Sequence, residues 1–184
     1  NSRVMIVGPS GSGKEAAAHQ LHSRSPRSSN NFIGIHAAMM EGGEEQIDRL
    51  LFGYEDAGEV EAGLIEQAHG GTLYLDEICN FPQKQQKALL KMLIEGAITR
   101  IGGAQSVSID ARVLSSCSGN VEKRMQDGHL REDLYHRLNV MTLDVPGLSQ
   151  RRDDIPYLVN YFVSMLAAQM NMPLRAADDD VLAV

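Results

Sequence analysis

Two hydrophobic rhythms alternate along this chain. Short continuous apolar runs mark strands, and longer stretches with apolar residues every third or fourth position mark helices. Strands are predicted at Arg3–Val7, Phe32–His36, Thr72–Leu75, Arg112–Ser116 and Val140–Val145, the last closed by Pro146. Helices are predicted at Lys14–Arg24, with Ala17, Ala18 and Leu21 on one side, and at Glu44–Phe52, Asn120–Gln126 and Leu130–Leu138. Pro82–Gly96 reads as a long amphipathic helix, with proline in its first turn and glycine at its end. Gly63–His69 carries a short helical pattern, and Ile98–Ile101 with Ser106–Ile109 around Gly102-Gly103 reads as a small hairpin. Ser25–Asn31 is a polar loop, and the acidic stretch Gly53–Gly63 reads as a loop or a frayed helix. Strand and helix alternation predicts an α/β fold with a parallel sheet in three layers. Residues 1–146 form the α/β unit on this reading. Residues 147–184 begin a small helical lid, with helices at Asp153–Ala168 and from Asp178 to Val184.

The 184 residues suffice for one substantial core, and 43% hydrophobic content without Trp makes that core aliphatic. A net charge of −7 supplies no basic footprint, so DNA contact is expected only through a separate domain outside this chain. No apolar run has membrane length and no signal-peptide pattern is seen. The expectation is a cytoplasmic protein with no membrane partner, whose Cys79 and Cys117 are reduced thiols. Starting at Asn1 and stopping at Val184 within an apolar run, the chain reads as a segment of a longer protein.

The first strand runs directly into Gly8, Pro9, Ser10, Gly11, Ser12, Gly13, Lys14 and Glu15. The spacing Gly8-x-x-x-x-Gly13-Lys14 is that of a phosphate-binding loop. Glycines let backbone N–H groups converge, the helix N-terminus adds partial positive charge, and the lysine reaches outer phosphates. Glu15 stands where a Mg²⁺-binding Ser or Thr is usual. The strand Thr72–Leu75 ends in Asp76 and Glu77. Beside a phosphate loop, Asp76 suits Mg²⁺ binding and Glu77 suits activation of an attacking water. Alone, such an acidic pair is as often a solvated turn. His19 and His22 share a helix face without a third metal ligand, so a partly exposed face is the better reading.

From these residues the chain reads as a P-loop ATPase or GTPase. The motif order goes further. The chain resembles, over essentially its whole length, the AAA+ central domain of nitrogen-regulator C-type bacterial enhancer-binding activators, which work on sigma-54 RNA polymerase. The resemblance rests on Gly8–Glu15, Leu21–Arg27, Leu51-Phe-Gly-Tyr-Glu55, Gly63–Ile78, Leu89-Leu90, Arg100-Ile-Gly-Gly103, Leu130–Val140 and Arg151–Pro156. Gly-Lys-Glu is normal in that family. The resemblance implies ATP on Gly8–Glu15, a Walker B pair in Asp76 and Glu77, and arginine fingers in Arg131 and Arg137 that reach a neighbouring subunit's ATP in a homo-oligomeric ring. Without it, these arginines would read as surface partners of Glu132 or Asp133.

Several positions depart from the family pattern. The Gly-Ala-Phe-Thr-Gly-Ala loop that touches sigma-54 is replaced by the shorter Asp56-Ala-Gly-Glu-Val-Glu-Ala62. The strand whose terminal Asn holds the Walker B glutamate ends here in His36, and the Thr-Asn sensor is Cys117-Ser118. The resemblance implies that the second sensor arginine would lie beyond Val184. Members without the contact loop, including nitrogen-regulator X-type regulators, are thought to act with the major sigma factor or as repressors. The leading reading is an ATP-binding regulator domain, with RNA polymerase as partner, that does not remodel sigma-54 polymerase. The rivals are a non-hydrolysing module in which nucleotide or a second messenger gates oligomerisation, and a sigma-54 activator with an atypical loop.

Overall fold

Residues 2–173 are described by the computed structural model, so the helix expected from Asp178 to Val184 lies outside them. In chain order the elements are β1 (Val4–Val7), α1 (Lys14–Ser23), β2 (Phe32–His36), α2 (Glu44–Phe52), β3 (Tyr54–Asp56), β4 (Glu59–Glu61), α3 (Leu64–Gln67) and β5 (Thr72–Asp76). There follow α4 (Gln83–Glu95), β6 (Ala97–Thr99), β7 (Ser106–Ser108), β8 (Arg112–Cys117), α5 (Val121–Gln126), α6 (Glu132–Leu138), β9 (Met141–Asp144) and α7 (Ile155–Met170). Two compact units meet in sequence between Val145 and Pro146.

In the first unit the main sheet has the order β2-β5-β8-β1-β9, and every pairing is parallel. Parallel strands need crossovers, so helices cover both faces and the strands read as continuous apolar runs. Side-chain alternation divides the core accordingly. Val4, Ile6, Tyr74 and Leu114 pack with Ala18 of α1 on one face. Met5, Ile35, Leu73, Leu75 and Val113 belong to the larger core with Ile47, Leu51, Leu89, Leu93 and Leu134. Each fully buried Leu or Ile contributes about 1.5–3 kcal/mol against leaving it in water. The aliphatic sheet is thus a stiff base for the polar groups at its edge. Helix α4 stops where Gly96 turns left-handed, φ 65°, and its N–H closes on the Met92 carbonyl at 2.8 Å.

The predicted strands and helices recur with boundaries moved by a residue or two. The acidic stretch does not: Tyr54–Asp56 pairs antiparallel with Glu59–Glu61. Ala57 (φ 47°) and Gly58 (φ 95°) both take positive φ, the geometry of a tight hairpin turn. Gly58 signals such a turn but Ala57 does not, which is why the segment reads as a loop in sequence. The hairpin is tethered at its base, where Glu55 N–H donates to the Ile101 carbonyl at 2.9 Å and Ile101 N–H to that of Gly53 at 3.0 Å. Arg100 adds a bidentate pair with Glu66 (2.9 and 2.6 Å) and a bond to Glu55 at 3.1 Å.

The cysteines also depart from expectation. Cys79 and Cys117 are joined as a disulfide. Cys79 follows the acidic pair by a short 3-10 turn, and Cys117 ends the adjacent strand β8, so the topology brings residues far apart in sequence face to face. His22 is buried and hydrogen-bonded to Thr72 Oγ1 at 2.9 Å, not on an exposed face; His19 stacks on Phe32 at 4.0 Å.

In the second unit, α7 begins with proline in its first turn and buries no residue. Tyr157, Tyr161, Phe162 and Leu166 are exposed along it. Among the described residues no helix is long and apolar enough to cross a membrane.

Candidate nucleotide site

Strand register gathers the chemistry at one edge of the sheet. Val7 pairs with Cys117 and with Asp144, and His36 pairs with Asp76. The carboxyl ends of neighbouring strands therefore lie together, where open parallel sheets bind ligands. The segment 8–13 leaves this edge from β1. Gly11 (φ 75°) and Gly13 (φ 88°) are left-handed, and a Cβ at Gly8 would collide with the Val145 carbonyl. Glycine is required at these turns. Successive turns of this kind form an anion-binding concavity, and α1 starts directly behind it.

Lys14 is 6% exposed, and its ammonium lies over the loop. Nζ donates to the carbonyls of Gly8 (3.2 Å) and Pro9 (3.1 Å) and to Ser118 Oγ (2.7 Å), and lies 3.0 Å from Glu77 Oε1. The phosphate-loop lysine and the second acid of the pair are thus in direct contact. Glu15 points outward, its side chain 56% exposed and 4.0 Å from His19.

Asp76 ends β5 and accepts from three side chains. Tyr74 OH and Ser116 Oγ reach Oδ1 at 2.7 and 2.6 Å, and His36 Nδ1 lies 3.2 Å from Oδ2. Burial alone raises its pKa, but the hydrogen bonds from Ser116, Tyr74 and His36 outweigh burial and hold it below the ordinary value of 3.8. Burial, and the bond it gives to Asp76, push the Tyr74 phenol far up, so it stays a donor. Glu77 takes a left-handed backbone, φ 55°, rare for a side-chain-bearing residue, and its N–H donates to Ser116 Oγ at 2.9 Å. Its carboxylate accepts from the Ser118 N–H at 2.9 Å and from the Ser118 hydroxyl.

His36 therefore sits at the carboxylate edge as its register requires, but its partner is Asp76, and Glu77 is taken by Ser118. Arg131 lies before α6 and pairs bidentately with Asp133 at 3.0 and 2.7 Å. Arg137 donates to the Leu93 carbonyl at 3.1 Å. None of these partners belongs to the phosphate loop. Tyr74 and Ser116 escape sequence reading as site residues. The period-two spacing of Tyr74 and Asp76 on one strand face is the only signal for the first; the second depends on strand order. A cavity of about 230 Å³ lined by Phe52, Lys84, Met92 and Ile98 is separate from this site.

The sequence matches the Sigma-54 interaction domain family over residues 1–144. The chain belongs to this family. It is 42% identical to the nitrogen assimilation regulatory protein NtrX of Azorhizobium caulinodans, covering 100% of this chain and 40% of that protein. It is 41% identical to the DNA-binding transcriptional regulator NtrC of Escherichia coli over 94% of this chain and 37% of that one. Among solved structures, NtrX of Brucella abortus in complex with ATP superimposes with a TM-score of 0.89 at 41% identity, covering 99% of this chain and 42% of that chain. The fold also matches that of Hsp104 at TM-score 0.62 and 19% identity. This is the AAA+ P-loop fold, in a domain shared with bacterial transcription regulators. The chain spans about 40% of the length of its NtrX relative.

Proposed function

We propose that this chain is the ATP-binding domain of a cytoplasmic bacterial transcription regulator, and that it hydrolyses ATP as a homo-oligomeric ring. The observation that carries this reading is the 3.0 Å contact between Lys14 and Glu77 at the carboxyl edge of the sheet. It joins the phosphate loop to the acidic pair, so that phosphate charge and an activated water would meet there. The crystallised complex of NtrX with ATP supports the nucleotide assignment.

Gly8–Lys14 would cradle the phosphates, with Lys14 turning from Glu77 to a phosphate oxygen. Among the described residues no group of three or more His, Cys, Asp or Glu forms a metal cage. Mg²⁺ fits here as it usually does, through phosphate oxygens and one carboxylate. Asp76 suits that role because its depressed pKa keeps it ionised and its side chain is partly exposed. Bound Mg²⁺ supplies charge neutralisation at the phosphates. Glu77 would accept the proton of the attacking water. Arg131 and Arg137, which bond outside their own phosphate loop, would serve a neighbour's site. The second unit, from Pro146, would begin a lid. DNA contact belongs to a separate domain, and RNA polymerase is the expected partner.

Sigma-54 remodelling is not expected, because Asp56–Ala62 is a short acidic hairpin with neither the Phe nor the Thr of the contact loop. The test is a titration of the full-length protein with fluorescent ATP, followed by a turnover assay. Expected are Mg²⁺-dependent binding lost in Lys14→Ala, hydrolysis lost in Glu77→Gln, and no open complex at a sigma-54 promoter. Absence of binding by the unaltered protein refutes the nucleotide reading. A second reading, a non-hydrolysing gate, is favoured by the grip of Ser118 and Lys14 on Glu77; binding without turnover would establish it.

A further inference from the structure

Tyr74 and Asp76 lie two residues apart on β5 and so share one face of the sheet. Leu114 is the register partner of Tyr74, and Ser116 follows Leu114 by the same step along β8. The Tyr74 ring is fully buried with Val4, Ile6, Ala18 and Leu114 and lies beside Phe32, so packing holds its hydroxyl in one place. That place is Asp76 Oδ1, which Tyr74 reaches at 2.7 Å and Ser116 Oγ at 2.6 Å. A carboxylate oxygen has a pair of lone-pair directions, and these donors fill both on Oδ1. Among the described residues Oδ2 meets only His36 Nδ1, at 3.2 Å, which leaves it one direction for a ligand.

We propose that Tyr74 is a positioning residue that sets the metal preference of the site: by closing Oδ1 together with Ser116, it makes Asp76 a one-oxygen ligand that favours Mg²⁺ over Ca²⁺ beside the nucleotide phosphates. This rests on the reading of the site as an ATP-binding centre. Mg²⁺ is small, demands near-octahedral geometry and is satisfied by single carboxylate oxygens, phosphates and water. Ca²⁺ takes more oxygens and readily engages both oxygens of one carboxylate. Asp76 cannot offer that grip without breaking hydrogen bonds that a charged group accepts from inside the core. The same bonds resist rotation of the carboxylate, so Oδ2 stays the oxygen on offer. Ser116 is a less selective support, because its Oγ also accepts the Glu77 N–H at 2.9 Å. Among the described residues the Tyr74 hydroxyl makes no bond to the phosphate loop or to Glu77, so its removal reaches the site through Asp76.

The experiment measures binding of a fluorescent, non-hydrolysable ATP analogue to full-length protein with Mg²⁺, with Ca²⁺ or with a chelator. It compares unaltered protein with Tyr74→Phe, Asp76→Asn and the Tyr74→Phe/Asp76→Asn pair. Tyr74→Phe keeps the buried ring and with it the packing. Comparison between variants cancels the intrinsic affinity of each cation for the nucleotide. The unaltered protein should bind more tightly with Mg²⁺ than with Ca²⁺. Tyr74→Phe should lower that ratio about tenfold, as for loss of one hydrogen bond to a charged group at a partly exposed site. Affinity with chelator alone should not move. Asp76→Asn should flatten the ratio, and adding Tyr74→Phe to it should change nothing more. An unmoved ratio in Tyr74→Phe, or a preference of the unaltered protein for Ca²⁺, overturns the proposal. So does equal weakening with both cations and with chelator, since the phenol would then act on the fold as a whole. A change of ratio that persists beside Asp76→Asn also overturns it, because the effect would bypass Asp76. If the unaltered protein binds the analogue under no condition, the ATP reading fails and this one with it; normal binding with a ratio indifferent to Tyr74→Phe isolates the failure to Tyr74.

Discussion

Tyr74→Phe removes one oxygen from the middle of the molecule and tests whether Asp76 is organised from within the core. The ring is fully buried, and its hydroxyl donates to Asp76 Oδ1 at 2.7 Å. Hydrogen bonds to charged groups contribute about 1.5–3 kcal/mol. Asp76 is partly exposed and keeps Ser116 and His36, so the expected loss lies at the low end, about 1–2 kcal/mol near neutral pH. The pH dependence carries the sharper test. Asp76 has a folded-state pKa below 3.8, so its contribution to stability is present above that value and is lost as pH falls through the folded one. Removing a donor raises the folded pKa and shrinks that contribution. The gap between variant and unaltered protein should thus be widest near neutrality and shrink by half or more at pH of about 3. The chain has no Trp, so urea unfolding followed by far-ultraviolet circular dichroism is the suitable assay. An unchanged gap across this range would mean that the phenol contributes packing alone, and the charge argument would be wrong.

Other contacts carry consequences of the same kind. Arg131→Ala should leave thermal stability unchanged, since its bidentate partner Asp133 is a surface residue, yet abolish turnover; mixing it with Glu77→Gln subunits should restore part of the activity by regenerating interfaces with both groups intact. Recovery absent from the mixture would count against a finger in trans. Arg100→Ala frees Glu55 and Glu66, and glutamyl endopeptidase should then cut the 54–61 hairpin faster without a change in the circular dichroism of the main sheet. Reduction, or Cys79→Ser, opens a link across a sequence separation of 38, for which chain entropy sets an upper figure of about 4 kcal/mol. The urea midpoint with and without reductant measures it, and free-thiol titration of unreduced protein should find neither cysteine reactive.

The division between what was legible in the sequence and what was not follows a physical line. The inner sheet strands announce themselves because both their faces are buried, as in the apolar runs of β1 and β5. The loop after β1 announces itself because left-handed turns at Gly11 and Gly13 and the collision facing any side chain at Gly8 all demand glycine. Such demands are local, so the sequence records them. The partners of Asp76 and Glu77 are set by strand order instead. Ser116 and Ser118 reach the acidic pair only because β8 lies beside β5, and nothing near either serine indicates that adjacency. The same adjacency pairs Cys79 with Cys117, against the expectation drawn from compartment. His36 shows how far a local pattern goes. Its place at the end of β2 was readable, while its proximity to the acids was implied only by the family resemblance, which pointed to Glu77. Which acid it meets is decided by register: His36 pairs across from Asp76, while Glu77 has already turned left-handed toward β8. A residue type and a position in the chain therefore identified the ingredients of the site, and the order of the strands decided which of them touch.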